Sequence, residues 1–140
     1  MPDTISTTLL RQRIRNRLMD LLEVAASFEN TARFGAFEVI NWWEDWHRPD
    51  DPAFYCEPVF SSEEQRQIAE FAKVWNETAA VEEDDIFDAQ KLKALPHWRR
   101  FRETAKVALQ VFELRGRLSE AEEEEFPAYR RSLLRSPPFA

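Results

Sequence analysis

The stretch "PHWRRFRETAKVALQVFELRGRL", residues 96–118, decides the fold class. At about 100° per residue, Trp98, Phe101, Ala105, Ala108, Leu109 and Phe112 gather on one helical face. Val107, Val111, Leu114 and Leu118 form a second stripe on roughly the opposite side. A helix with two apolar sides is sandwiched: it runs through the middle of a bundle, or it buries one stripe against a second copy of the chain. The pattern predicts a helix from about Pro96 to Leu118. It also makes Val107, Val111, Leu114 and Leu118 the candidate interface of an isologous homodimer.

Working outward, the composition points the same way. Two glycines in 140 residues fall far below the usual share of about 7%, so the chain has little provision for the tight turns that sheets need. A hydrophobic content of 44% is enough for one sizeable core and too little chain for two. The expected fold is all-α: a single-domain bundle over residues 1–140 with four to five main helices, one long aromatic and proline-containing loop over about 48–61, and a loose C-terminal tail over about 136–140.

Leu10, Ile14, Leu18, Leu21, Ala25 and Phe28 predict a first helix from about Thr7 to Phe28. Arg11, Arg13, Arg15 and Arg17 surround that stripe. Like charges one turn apart are unfavourable in isolation, so acids elsewhere in the fold are expected to answer them on a solvated, salt-bridged face. A second helix is expected from about Asn30 to Trp46, capped at Asn30 or Thr31 and running through Gly35. On it Ala32, Ala36, Val39, Trp42, Trp43 and Trp46 share about 120° of arc. "SSEEQ" at residues 61–65 has a capping-box pattern. It opens a third helix with Ile68, Phe71, Ala72, Trp75 and Ala79 as its stripe. An acidic turn and short helix are expected over residues 81–96, and Ser119 with Glu122 suggests a last short helix around Pro127.

The candidate chemistry centres on "NWWEDWHRPDDP", residues 41–52. Glu44 and His47 form an E-x-x-H pair that could share a metal. A carboxylate-bridged pair of metals would need a second such pair and inward glutamates from two other helices. Ala94 precedes His97 by three residues, and the buried faces of the helices around residues 70 and 105 offer no inward glutamate in this reading. Glu44 and His47 are therefore weak metal candidates, and no cofactor is expected. Cys56 with His47 lacks the surrounding apparatus of a nucleophilic site. With no phosphate-loop, dinucleotide or zinc-ligand motif present, no catalytic residue is assigned and enzymatic function is not expected.

Charge and aromatics suggest binding instead. The net charge of −7 disfavours nucleic acid and anionic lipid as partners, and no run reaches the roughly 20 apolar residues of a membrane span. A lone cysteine fits a cytoplasmic protein. The acidic runs Glu82, Glu83, Asp84, Asp85 and Glu122 to Glu125 are either solvated faces or a surface for a basic protein partner. Trp42, Trp43 and Trp46 serve first as core. Alternatively Trp42 and Trp46, with Phe54 and Tyr55 from the loop, form a binding hot spot. The expected partner-binding residues are thus Trp42, Trp46, Phe54, Tyr55, Glu82, Glu83, Asp84, Asp85, Glu122 and Glu123. By analogy of class and charge alone, the chain resembles small acidic helical proteins that neutralise a basic toxin or nuclease.

Overall fold

The computed structural model describes residues 5–80 and 93–125. Among these residues the chain is a compact helical bundle with five α-helices: α1 (Thr7–Ala25), α2 (Phe28–Phe34), α3 (Ala36–Trp46), α4 (Ser62–Ala79) and α5 (Pro96–Glu113). The expected acidic turn falls mostly on residues 81–92, outside those described.

Three of the helices, α1, α2 and α4, begin where a serine side chain takes up a stranded backbone N–H, while α3 and α5 have no side-chain cap. Ser6 Oγ accepts from Leu9 N at 3.0 Å, Ser27 Oγ from Asn30 N at 3.1 Å and Ser61 Oγ from Glu64 N at 3.1 Å. At Ser61 the capping box is complete, because the Glu64 carboxylate accepts from Ser61 N in return. Pro96 starts α5 at the position where a missing N–H costs nothing.

Two expected boundaries move. The helix read from Asn30 to Trp46 is two helices, divided at Gly35, whose φ of +97° is closed to most side-chain-bearing residues. The cap for α2 is accordingly Ser27, and Phe28 opens α2 where it was expected to close α1. The Thr31 hydroxyl donates to Val24 O at 3.1 Å, tying α2 to the end of α1. The helix from Pro96 ends at Glu113, short of Leu118, and Gly116 at φ +78° turns the chain back.

The core lies where α5 meets both α1 and α4, with α3 closing over α1. One broad face of α5 makes both contacts: Trp98, Phe101, Ala105, Ala108 and Phe112 are all buried. The second stripe is not sandwiched. Val107 is 50% exposed and Leu114 83%, while Leu118 lies beyond the helix and packs against the core from the returning chain. Aromatic rings carry the packing across the bundle: Trp43 meets Phe71 edge-on at 4.7 Å, and Phe71 meets Phe101 at 5.0 Å. The loop over residues 48–61 is packed on the domain. It makes one 3-10 turn at Pro52–Phe54 and buries Phe54, Tyr55, Val59 and Phe60.

The returning segment, residues 114–125, lies as a strap along a polar face of α1. Gln12 donates to Ser119 O and Glu122 O, and its own carbonyl accepts from Glu124 N at 2.8 Å. Asn16 donates to Leu118 O at 2.8 Å and accepts from Leu118 N at 3.1 Å. The last short helix expected around Pro127 lies outside the described residues; over 119–125 Ser119 Oγ accepts from Ala121 N and Glu122 N, and the chain continues as bends and coil.

Candidate functional site

The strongest polar cluster is built by α1, α4 and the strap. Arg15, 0% exposed, reaches the Glu64 carboxylate with two nitrogens, Nε at 3.2 Å and Nη2 at 2.8 Å. It also donates to Gly116 O at 2.6 Å, and its guanidinium lies 5.0 Å from the centre of the Phe112 ring. Arg115 reaches the same carboxylate from the strap at 2.6 Å and donates to Val59 O at 2.6 Å. Burial alone would push the Glu64 carboxyl up, but the hydrogen bonds and charges of Arg15 and Arg115 outweigh it and hold the group below its ordinary value of 4.5. Glu64, 1% exposed, is thus an inward glutamate on α4, where the sequence reading allowed none. Its partners are two arginines, so it locks the bundle and is in no position to ligate a metal. Arg15 likewise leaves the solvated face expected for it. Acids elsewhere in the fold answer Arg15, through Glu64, and Arg17, through Glu120, whereas Arg11 and Arg13 donate to the backbone carbonyls of Phe54 and Glu120.

The second cluster surrounds His47, the C-cap of α3. Its ring stacks on Trp43 at 4.6 Å between centres and lies nearly parallel to Tyr55. The Tyr55 hydroxyl accepts from Arg48 N at 2.8 Å and stands 2.8 Å from His47 Nδ1. The hydroxyl and the ring nitrogen share one hydrogen bond, which fixes the ring in either tautomer of the imidazole. Burial lowers the His47 pKa from 6.5 and pushes that of Tyr55 up to about 12. Both groups are therefore neutral near pH 7. A cavity of about 200 Å³ opens beside them, lined by Trp43, Glu44, His47, Pro49, Trp75 and Asn76. Trp43 is its floor at 1% exposure, and Glu44, Pro49 and Asn76 stand on the exposed rim. Trp75 Nε1 donates to Ile40 O at 3.0 Å, which fixes the wall it forms. Trp43 Nε1 is buried without a hydrogen-bond acceptor among the described residues.

The remaining expected site residues are scattered. Phe54 and Tyr55 are buried, packed edge-to-face with each other, and Tyr55 edge-to-face with Phe60, so they offer no surface to a partner. Trp42 and Trp46 are half-buried on the flank of α3, with Phe34, 51% exposed, edge-on to Trp42 at 6.0 Å. Glu122 and Glu123 are exposed on the strap; Glu82, Glu83, Asp84 and Asp85 lie outside the described residues. Glu44 and His47 share the cavity lining, yet among the described residues no three His, Cys, Asp or Glu side chains come together to hold a metal. Trp75 and Asn76 were missed as site residues. Trp75 keeps the spacing of a core stripe, and only the seating of α3 across α4 turns it into a cavity wall.

No family model, no curated protein and no solved structure matches the chain. Among the described residues no helix is long and apolar enough to cross a membrane.

Proposed function

We propose that the chain works by binding another protein, one with a basic surface, through the outer flank of α3. The observation that carries this reading is the Phe34 and Trp42 pair, with Trp46 beside it, standing exposed or half-exposed among acids. At helical spacing Glu38 and Asp45 fall on the same side as Trp42. Residues 28–52 hold six acids against two arginines, and neither Glu38, Glu44, Asp45 nor Asp50 enters a salt bridge among the described residues. Aromatic anchors inside a field of one sign suit a partner of opposite charge, which the field both attracts and selects. Glu122 and Glu123 add exposed acid on the strap. Non-enzymatic binding of this kind, in the cytoplasm, fits the lone thiol Cys56.

The test is capture of partners from the source cells at low and high salt, with wild type and a Phe34→Ala, Trp42→Ala variant side by side. One dominant basic protein, lost at high salt and lost in the variant, supports the reading. A partner retained by the variant, or a salt-independent one, removes it. A homodimer through α5 is the second reading, drawn from Val107 and Leu114 exposed seven residues apart. A strictly monomeric mass by light scattering at high concentration would end it.

A further inference from the structure

The buried Phe54 ring, in the loop over residues 48–61, carries a guanidinium group from each of two other places in the chain. Arg11 on α1 lies over it with Cζ 5.3 Å from the ring centre, and Arg48, just beyond α3, with Cζ 4.5 Å from it. Both side chains are half-buried and held in place. Arg11 Nε donates to Phe54 O at 2.7 Å, and the Arg48 backbone N–H donates to the Tyr55 hydroxyl at 2.8 Å. At 5.3 and 4.5 Å from one point, the two charges stand within about one Debye length of each other, ~10 Å at 0.1 M salt.

Neither arginine enters a salt bridge among the described residues, although the chain has 26 acids to 19 lysines and arginines and so no shortage of partners. Arg15 and Arg17, on the same helix as Arg11, each have a carboxylate. Asp50 and Asp51, next in the loop after Arg48, are exposed and enter no salt bridge with either group. A guanidinium carries five N–H donors, and buried polar groups are paired as a rule. Yet Arg48 Nε is buried without an acceptor among the described residues. Of the nitrogens in the two groups it is the single one both unpaired and shut off from solvent, so the terminal nitrogens of both remain reachable. The result is a pair of fixed cations, close enough to act on one anion.

Charge and donor geometry select that anion. A carboxylate brings one charge and two oxygens, which a single guanidinium fork saturates. A phosphate monoester brings nearly two charges near pH 7 and three acceptor oxygens, which two forks can share. A polyanion such as nucleic acid meets the repulsion of a chain with net charge −7, so the ligand concentrates its charge on one group.

We propose that Arg11 and Arg48 form a binding site for a phosphate monoester, with the Phe54 ring as the platform that holds both guanidinium groups. The site shares no residue with the Phe34, Trp42 and Trp46 patch, so its failure would leave the reading of that patch untouched. Two sources carry the chemistry: a phosphorylated small molecule, or a phosphorylated serine of another protein. Glycerol 3-phosphate stands for the first source and a short phosphoserine peptide for the second.

The experiment is a calorimetric titration of the intact chain at constant ionic strength, with the arginine Nε–H resonances followed by NMR. The controls are acetate and the unphosphorylated peptide. Saturable binding of a phosphate probe is expected, at least tenfold tighter than that of its control, with shifts at the Arg11 and Arg48 resonances. Arg11→Gln and Arg48→Gln should each weaken it at least tenfold. Arg66→Gln removes an exposed arginine that has its own acid and should leave it unchanged. Circular dichroism checks the fold of each variant, and the wild-type resonances decide independently of the variants. A peptide at least tenfold tighter than glycerol 3-phosphate assigns the site to a protein side chain, and the reverse or equal order assigns it to a small molecule. No saturable binding of either phosphate probe, equal binding of the controls, unmoved Arg11 and Arg48 resonances, or an equal loss in Arg66→Gln overturns the proposal.

Discussion

The seam between α1 and the strap and the seam between α3 and α4 are made on opposite terms. Along α1, Gln12, Arg15 and Asn16 are buried polar side chains, and every one of them has named partners on the returning chain. Between α3 and α4 the contact is aromatic, and among the described residues it leaves over an indole N–H without an acceptor, a carboxylate without a salt bridge and an open cavity. Buried polar groups cost stability unless they are satisfied, so a matched network is what a structural joint requires. The unmatched seam has hydrogen-bonding capacity left over.

The largest expected effect tests the matched seam. Glu64→Ala strands Arg15 in the core and should cost about 3–5 kcal/mol by urea denaturation. Replacing both, as Arg15→Met with Glu64→Leu, should cost clearly less than the sum of the single changes, because no buried charge is left alone. The same carboxylate sets an acid limit. Its folded pKa is depressed, so its contribution is fully present above the ordinary value of 4.5 and is lost as pH falls through the lower folded value. Stability should therefore drop below about pH 4.5 in wild type and less steeply in Glu64→Gln, as read from denaturation midpoints across pH.

Next in size, Asn16→Ala removes both bonds to Leu118 and should cost about 1–3 kcal/mol, with faster amide exchange at Leu118 as its local mark. Tyr55→Phe deletes the hydroxyl between Arg48 N and His47 Nδ1 and should cost about 1–2 kcal/mol, with a change in the His47 imidazole resonances. Phe34→Ala, on the exposed flank, should move stability by no more than about 0.5 kcal/mol while weakening capture of a basic partner.

Most of the fold could be read in the sequence because it rests on local signals. Glycine scarcity, the stripes of α1, α4 and α5, and the Ser61 capping box are each contained within a few turns of chain. The misreadings share one cause, which is contact across long separations. Glu64 reads as a first-turn acid until Arg15, 49 residues away, is brought against it. Leu118 keeps the spacing of the α5 stripe, but Gly116 has already turned the chain towards Asn16. Gly35 looked tolerable inside a helix, and its φ of +97° appears only where α2 must fold back on α1 through Thr31. The site was legible in part. Glu44 and His47 were singled out at helical spacing, whereas Trp75 and Asn76 join them only through the crossing of α3 and α4, which no local pattern records. Phe54 and Tyr55 were expected on a binding surface, and it is their packing in the loop that denies them that role.

The bond between Gln12 and the backbone of Glu124 spans 112 residues, and it orders events during synthesis. The helix α1 is completed by a segment that is synthesised 112 residues later. At translation speeds of about 5–20 residues per second, α1 waits roughly 5–20 s for its strap. Through that interval Gln12 and Asn16 must keep water as their partner and Arg15 has Glu64 without Gly116, so the polar face of α1 lacks its full set of bonds until residues 112–124 arrive. Closing this seam is in that sense a late event, timed by the separation of its two sides along the chain.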